Sequence, residues 1–599
     1  MMWKTINILT TMKTSSSTSK ILILSSAVLF SSSVTVAGFT PKNIKFNNNK
    51  VTKTIDNTRT TIETETTTRS RICTLLSSTR KDNDNNPFTS LVKDMASSLM
   101  GNFKSSSSSS SSMSSGEIDS KLSSLLSVSA GNDNDGEDDD YSWENIRTVL
   151  ESKQTTEEQM LHANLSTGYG VEGSPLHKIR LFDKSNTEDS VRVTFYRDSA
   201  SWCPYCQKVW ITLEEKKIPY KIEKVNMRCY GDKPRSFLNM QPNGNIPVAI
   251  IDGTVYSSSN EILAALERLF PNHKSLQPED GKRARELLQL EGQLGSAWLS
   301  WLGSSANQES RFENVLKRVD NALSESEGSF FMGREMSMVD IQYISFLERA
   351  CASLLYYKGF KIRVPKGEKS NFPSINKWFD ALEDLPSYRL TKSDYYTHCW
   401  DLPPQLGGCV STPEGEKYRN AINGVSGSWE LPLTLNNDGI EPDWELENED
   451  YNGSVAKSRR EAVESISSNH GPLTKFASRG AGKKGFPPVM APLADPNAKQ
   501  NDAIVGGINS ILQIISMEML TAEDNGNISN QHAAKMEQIA ITIVKDGGSD
   551  YANDVVNSLT YLRDRIGVPR DMRLLAARQL RAHLNWSIQT VVDANNDKQ

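Results

Sequence analysis

The sequence predicts an α/β domain followed by an all-helical domain, set between a long polar leader and a second group of helices. Three observations carry this. VRVTFY (191–196) alternates as a half-buried strand, and the segments after it run strand, helix, strand, then strand, strand, helix. From Gly281 to about residue 400 the apolar repeats have helical period only. Only 37% of the 599 residues are hydrophobic and the mean hydropathy is −0.49, so part of the chain cannot build a core.

The elements follow in order. Residues 1–38 read as an address: Lys4, Lys13 and Lys20 precede the apolar run ILILSSAVLF (21–30), and small residues continue to Ala37. That run is too short to cross a bilayer, so no stable membrane span is expected from it. Residues 39–140 are expected to be transit-like and disordered, with a serine tract (Ser105–Ser112) and the acidic spacer DNDGEDDD (133–140). Residues 141–190 form an extension, with a short helix at SWENIRTVLES (142–152) and an extended approach at 168–182.

The α/β unit spans 191–272. After the first strand, PYCQKVWITLEEKK from Pro204 carries apolar residues at 206, 209, 210 and 213, a helical stripe, and proline suits its first turn. YKIEKV (220–225) is a strand, KPRSFLNM (233–240) a short helix or turn, and NIPVAIIDGTVYS (245–257) two strands about an Asp-Gly turn. SNEILAALERLF (259–270) is a serine-capped helix ended by Pro271. Helices are then expected at Lys282–Leu302, Arg311–Glu325, from Ser337 and at 375–385; Ser337 and Asp340 have capping-box spacing. Residues 401–499 read as an irregular linker. Its LTKFASRGAGKKGFPP (473–488) lacks the spacing of a phosphate-binding loop. Residues 500–595 read as a helical module whose Arg-dense stretch 570–586 is a solvated face.

A net charge of −6 gives no basic face for nucleic acid, so none is expected as partner. The seven cysteines are too sparse for a disulfide scaffold, and only Cys203 and Cys206 are close, in WCPYC. Three chemistries compete there. A zinc knuckle needs a second close pair, which is missing, so no metal is expected. A structural disulfide would close too short a loop to stabilise much. A reactive thiol fits best, because the pair follows a strand and opens a helix, where amide N–H groups and the helix dipole favour a thiolate. That position makes Cys203 the nucleophile and Cys206, a turn on, its candidate resolving partner. Lys208 adds charge nearby, read as an exposed lysine.

These pieces together resemble the glutathione S-transferase superfamily. The resemblance rests on WCPYCQKVWITLEEKKIPY (202–220), NGNIPVAIIDG (243–253), SSSNEILAALERLFP (257–271) and SMVD (337–340), in order, across about residues 190–400. It implies a thioredoxin-like N-terminal domain and an all-α C-terminal domain, with the disordered presequence and an extra C-terminal helical module outside them. Cysteine at the helix head resembles the omega, lambda and dehydroascorbate-reductase branches, and CPYC with extensions on both sides resembles the iota class. The resemblance also implies a glutathione site. Pro247 matches the cis-proline, and Ile246 the residue whose backbone pairs with the glutathione cysteinyl group. Ser259 matches the serine that binds the γ-glutamyl carboxylate. Ser258 stands where relatives have an acid, and Lys233 matches a glutathione-contacting lysine. Trp202 replaces the aspartate of the dehydroascorbate reductases, which puts that reaction in doubt. Residues 1–81 resemble the two-part plastid presequences of algae with secondary plastids, with a plain secretory signal as the alternative address.

The expected function is a glutathione-dependent thiol transferase that reduces mixed disulfides, with glutathione as co-substrate. The alternatives are a conjugating transferase for electrophiles and a non-enzymatic ligand- or partner-binding module. A homodimer, and a protein partner for the 415–599 tail, are further expectations. Tyr196 is read as a packing residue, Trp298 and Trp301 as lining either the acceptor site or the core, and Cys229 as a lone loop cysteine.

Overall fold

The computed structural model describes residues 113–127, 140–170, 173–433, 440–442, 451–489, 492–522 and 527–597. The address, the serine tract and all but the last residue of the acidic spacer lie outside them.

Three helices precede the sheet: α1 (Ser115–Leu126), ahead of the extension, and α2 (Trp143–Lys153) and α3 (Thr156–Thr167) within it. Helix α1 falls inside the span 39–140 that was expected to be disordered. Ser114 and Glu117 form its capping box, and Ile118, Leu122 and Leu126 are buried at helical spacing. The approach at 168–182 forms two-residue strands, β1 (Tyr169–Gly170) and β2 (Ile179–Arg180).

Next come β3 (Val193–Asp198), α4 (Pro204–Lys216), β4 (Tyr220–Val225), α5 (Arg235–Met240), β5 (Val248–Ile251), β6 (Thr254–Tyr256) and α6 (Ser259–Leu269). They build one mixed sheet of order β1-β2-β4-β3-β5-β6. β3 runs parallel to β4 and antiparallel to β5, with Phe195 opposite Ile222 and Ala249. Val193 and Phe195 are fully buried on this central strand, each contributing about 1.5–3 kcal/mol. β2 pairs antiparallel with β4, so the extension covers what would be a free sheet edge.

The helical domain contains α7 (Gly281–Leu302), α8 (Glu309–Ser324), α9 (Met338–Lys358), α10 (Pro373–Glu383), α11 (Pro386–Thr391) and α12 (Tyr395–Leu406). The capping box forms: the Ser337 hydroxyl donates to Asp340 Oδ2 at 2.8 Å, and Trp378 Nε1 donates to Asp340 Oδ1 at 2.9 Å. Trp298 and Trp301 are buried, and Trp298 Nε1 donates to Ser353 Oγ at 2.9 Å.

The span 401–499 is not an irregular linker throughout. It carries the end of α12, then α13 (Glu416–Ile422), α14 (Tyr451–Ser467) and α15 (His470–Ala477). Ala462, Val463, Ile466 and Ala477 are buried, spaced to pack against neighbouring helices. Helices α16 (Val505–Thr521), α17 (Asn530–Arg563) and α18 (Leu574–Asp597) complete the tail. With α1 and α2 these helices enclose a second core, separate from that of the α/β and helical domains, so sequence from both ends of the chain meets in one body. Among the described residues one stretch, Asp502–Thr521, is long and apolar enough to cross a membrane. It is mostly buried in the second core.

The expected solvated face at 570–586 is in part an interface. Arg578 and Arg581 are buried, and Arg581 Nη1 lies 2.6 Å from Asp394 Oδ2, with both side chains 1% exposed. Arg581 Nη2 donates to the Ile566 carbonyl at 2.7 Å, so one guanidinium binds the turn before α18 to the head of α12. A charge this deeply buried needs such partners, which explains the inward arginine.

Candidate functional site

Cys203 is the N-cap of α4 and Pro204 its first helical residue. The sulfur therefore sits where free helical N–H groups and the helix dipole favour negative charge. Cys206, on the first turn, is buried at 1% exposure, and burial, then its hydrogen bond to Cys203, pushes its thiol well above the ordinary value. Cys206 thus keeps its proton and presents it to the Cys203 sulfur.

The loop before Cys203 is tightly held. Ser201 has φ +58°, a conformation costly for a non-glycine residue. Its hydroxyl accepts from buried Arg197 Nη1 at 2.6 Å, and the same nitrogen donates to the Asp198 carbonyl at 3.0 Å. Arg197 Nη2 reaches the Pro175 carbonyl at 3.4 Å, so the extension braces this loop from outside. The Trp202 amide donates to Asp198 Oδ2 at 2.5 Å.

A second support comes from α9. Arg349 is buried and donates to the Trp202 carbonyl, to Gln207 Oε1 at 2.8 Å and to the Ser345 carbonyl at 2.8 Å. Its guanidinium carbon lies 5.0 Å from the Trp202 ring. Gln207 Nε2 donates to Glu348 Oε2 at 3.0 Å, and His398 Nε2 lies 2.7 Å from Glu348 Oε1. Burial alone would raise the Glu348 carboxyl, but its hydrogen bond with His398, aided by Arg349 and Gln207, holds it at about 2. The network ties the head of α4 to α9 and α12. Lys208 is not an exposed lysine: it is buried, its ammonium is 2.7 Å from Gln342 Oε1, and burial brings it down to about 8.

Asp198, Cys203 and Cys206 place a carboxylate oxygen and two sulfurs within 4.8 Å of one another. That set has the donor types for a soft cation. The positive charges of Arg349, which acts on Cys203 and Asp198, and of Lys233, which acts on all three, work against one.

The remaining expected site residues flank this centre. Lys233, half-buried, donates to the Asn226 carbonyl; burial lowers its ammonium below the ordinary value, an effect that the nearby cysteines and Asp198 only partly offset. The Ile246–Pro247 peptide is cis and leads directly into β5. Ser258, not Ser259, caps α6: its hydroxyl accepts from the Glu261 amide at 3.3 Å. Ser259 is buried at the first helical position. Tyr196 packs on Phe237 at 5.8 Å. Cys229 is buried, accepts from Gln405 Nε2 at 2.7 Å, and is pushed up to about 11 by burial. Sequence reasoning missed Arg197, Asp198, Gln207, Glu348, Arg349 and His398. The signal it had was a Glu-Arg pair inside an otherwise apolar helix.

Residues 202–269 match the family described as glutathione S-transferase, N-terminal domain. Glutathione S-transferase DHAR2 of Arabidopsis thaliana is 29% identical over 194 residues, which are 32% of this chain and 84% of that protein. The chloroplastic glutathione S-transferase DHAR3 of the same plant is 24% identical over 194 residues, 32% of this chain and 69% of that one. A solved structure, the dehydroascorbate reductase of Chlamydomonas reinhardtii, is 24% identical and covers 34% of this chain and 94% of its own, with a TM-score of 0.29. The matched family segment takes in Cys203, Cys206, Lys233, Ile246, Pro247, Ser258 and Ser259.

Proposed function

We propose that this member of the glutathione S-transferase superfamily is a glutathione-dependent thiol transferase acting on mixed disulfides through Cys203. One observation carries the reading: Cys203 heads α4 with the protonated Cys206 thiol beside it, so the pair holds one nucleophile and one proton donor. The Cys203 thiolate attacks the glutathione sulfur of a mixed disulfide. A Cys203–glutathione disulfide forms and the substrate leaves as its thiolate. A second glutathione thiolate then attacks that disulfide, giving oxidised glutathione and restoring Cys203. The residues fit glutathione by the chemistry of their donors. Lys233 supplies a cation, the Ile246 backbone a strand-like edge before Pro247, and Ser258 and Ser259 the N-terminus of α6 for a carboxylate.

The test is turnover of a glutathionylated peptide by the wild type and by Cys203→Ser. Loss of turnover in the variant supports the reading, and retained glutathione-dependent turnover overturns it. We propose a plastid location with it, tested by fusing residues 1–140 to a fluorescent protein; secretion of the fusion would overturn that address.

A further inference from the structure

The loop Asn226–Pro234, between β4 and α5, carries Lys233 and touches the catalytic loop: Ser199 Oγ donates to Asn226 Oδ1 at 2.8 Å. Two of its side chains are held by α12. The Tyr230 hydroxyl donates to Asp401 Oδ1 on α12, and Gln405 holds Cys229. Behind Asp401 stands the tail turn Asp564–Asp571. That turn is seated on the head of α12, where Tyr396 OH donates to the Asp564 carbonyl at 3.1 Å and the Val568 amide to Thr397 Oγ1 at 3.3 Å. Arg570, in this turn, donates to Asp571 Oδ2 at 2.7 Å and to the Arg565 carbonyl. Arg570 thereby closes the turn that is seated on α12, the helix that carries Asp401. A second tail segment arrives beside it. Leu493 is buried in the core of the α/β and helical domains, and a side chain at Gly231 would meet Pro496 at 3.7 Å.

We propose that the tail, through Arg570, positions the Lys233 loop from outside the transferase fold, so that glutathione affinity depends on residues 564–571. This rests on the reading of Lys233 as a glutathione contact. Arg570 touches no substrate and acts through Asp401 and Tyr230. It holds the turn, the turn seats the head of α12, and Asp401 on α12 holds the Tyr230 hydroxyl, four residues on from Asn226.

The experiment compares full-length wild type, Arg570→Gln, Arg570→Lys and Tyr230→Phe. It reads KM for glutathione, kcat, and amide hydrogen exchange of the loop and of α16. Arg570→Gln is expected to raise KM by roughly five- to tenfold with kcat changed less than twofold, the equivalent of about 1 kcal/mol or slightly more. Loop amides at 228–232 exchange faster while α16 stays protected, and Arg570→Lys restores most of the affinity. Tyr230→Phe shifts KM the same way and decides the matter if Arg570→Gln fails to fold. Unchanged KM and unchanged loop exchange in both variants overturn the proposal, as does a fall in kcat alone. If the wild type shows no glutathione turnover, the functional reading fails. Loop exchange in the same variants then still decides whether the tail holds the loop.

Discussion

Arg349→Met tests how much of the site is held by the helical domain. The substitution keeps a long apolar stem and removes the guanidinium. Two buried acceptors, the Trp202 carbonyl and Gln207 Oε1, then lose donors, at about 1–3 kcal/mol each. The Ser345 carbonyl lies within α9, one turn before Arg349, and keeps its helical partner. Glu348 loses a neighbouring cation but keeps His398, Gln207 and the Ser393 amide. Release of the buried guanidinium, whose own desolvation was costly, offsets part of the loss. The net destabilisation is about 3–5 kcal/mol, the range for breaking a buried charged group's partnerships from one side. The carbonyl before Cys203 is also freed, so the loop that presents Cys203 loosens and alkylation of Cys203 by iodoacetamide should slow by about tenfold. Thermal denaturation and timed alkylation measure both. A variant that melts within about 1 kcal/mol of the wild type and alkylates at its rate would refute the assignment of Arg349 as support for the catalytic loop.

Two further outcomes follow from buried charges. Burial pushes the Asp401 carboxyl up to about 7 from an ordinary value near 4. Between those values the folded state holds a proton that the unfolded state has released, so this group makes stability fall as pH rises from about 4 to 7. Asp401→Asn should flatten that slope in Tm measured against pH; a slope equal to the wild type's would contradict it. Arg581→Met leaves the buried Asp394 carboxylate with the Thr397 amide and side chain but no cation, and should cost about 3–5 kcal/mol. Limited proteolysis should then cut first in the turn before α18, and cleavage at the wild-type rate would show that the pair does not hold the tail.

The strand and helix order of 191–272 was legible because its apolar spacing is strict and its turns carry Gly and Pro. Position, too, was readable at Cys203, since a strand followed by Cys-Pro places the thiol at a helix head. Other features leave weak local traces. β1 and β2 are two residues each, too short for an alternating pattern, and form because β4 offers an edge. Helix α1 is one-third serine and buries only Ile118, Leu122 and Leu126, which find their partners hundreds of residues away in α16 and α17. The Arg349–Glu348–His398 network meets Gln207 across 141 and more residues, and no local spacing announces such a contact. Lys208 and Arg581 were misread for one reason: a charged side chain looks solvated until the opposite wall, here Gln342 or Asp394, is in place.

The central claim is that Cys203 carries the exchange. Its most direct test is peptide mass spectrometry of full-length Cys206→Ser protein after incubation with oxidised glutathione. The account predicts one glutathione adduct, on Cys203, removed by added reduced glutathione. An unmodified Cys203, with the adduct on Cys229 or another cysteine, would contradict it.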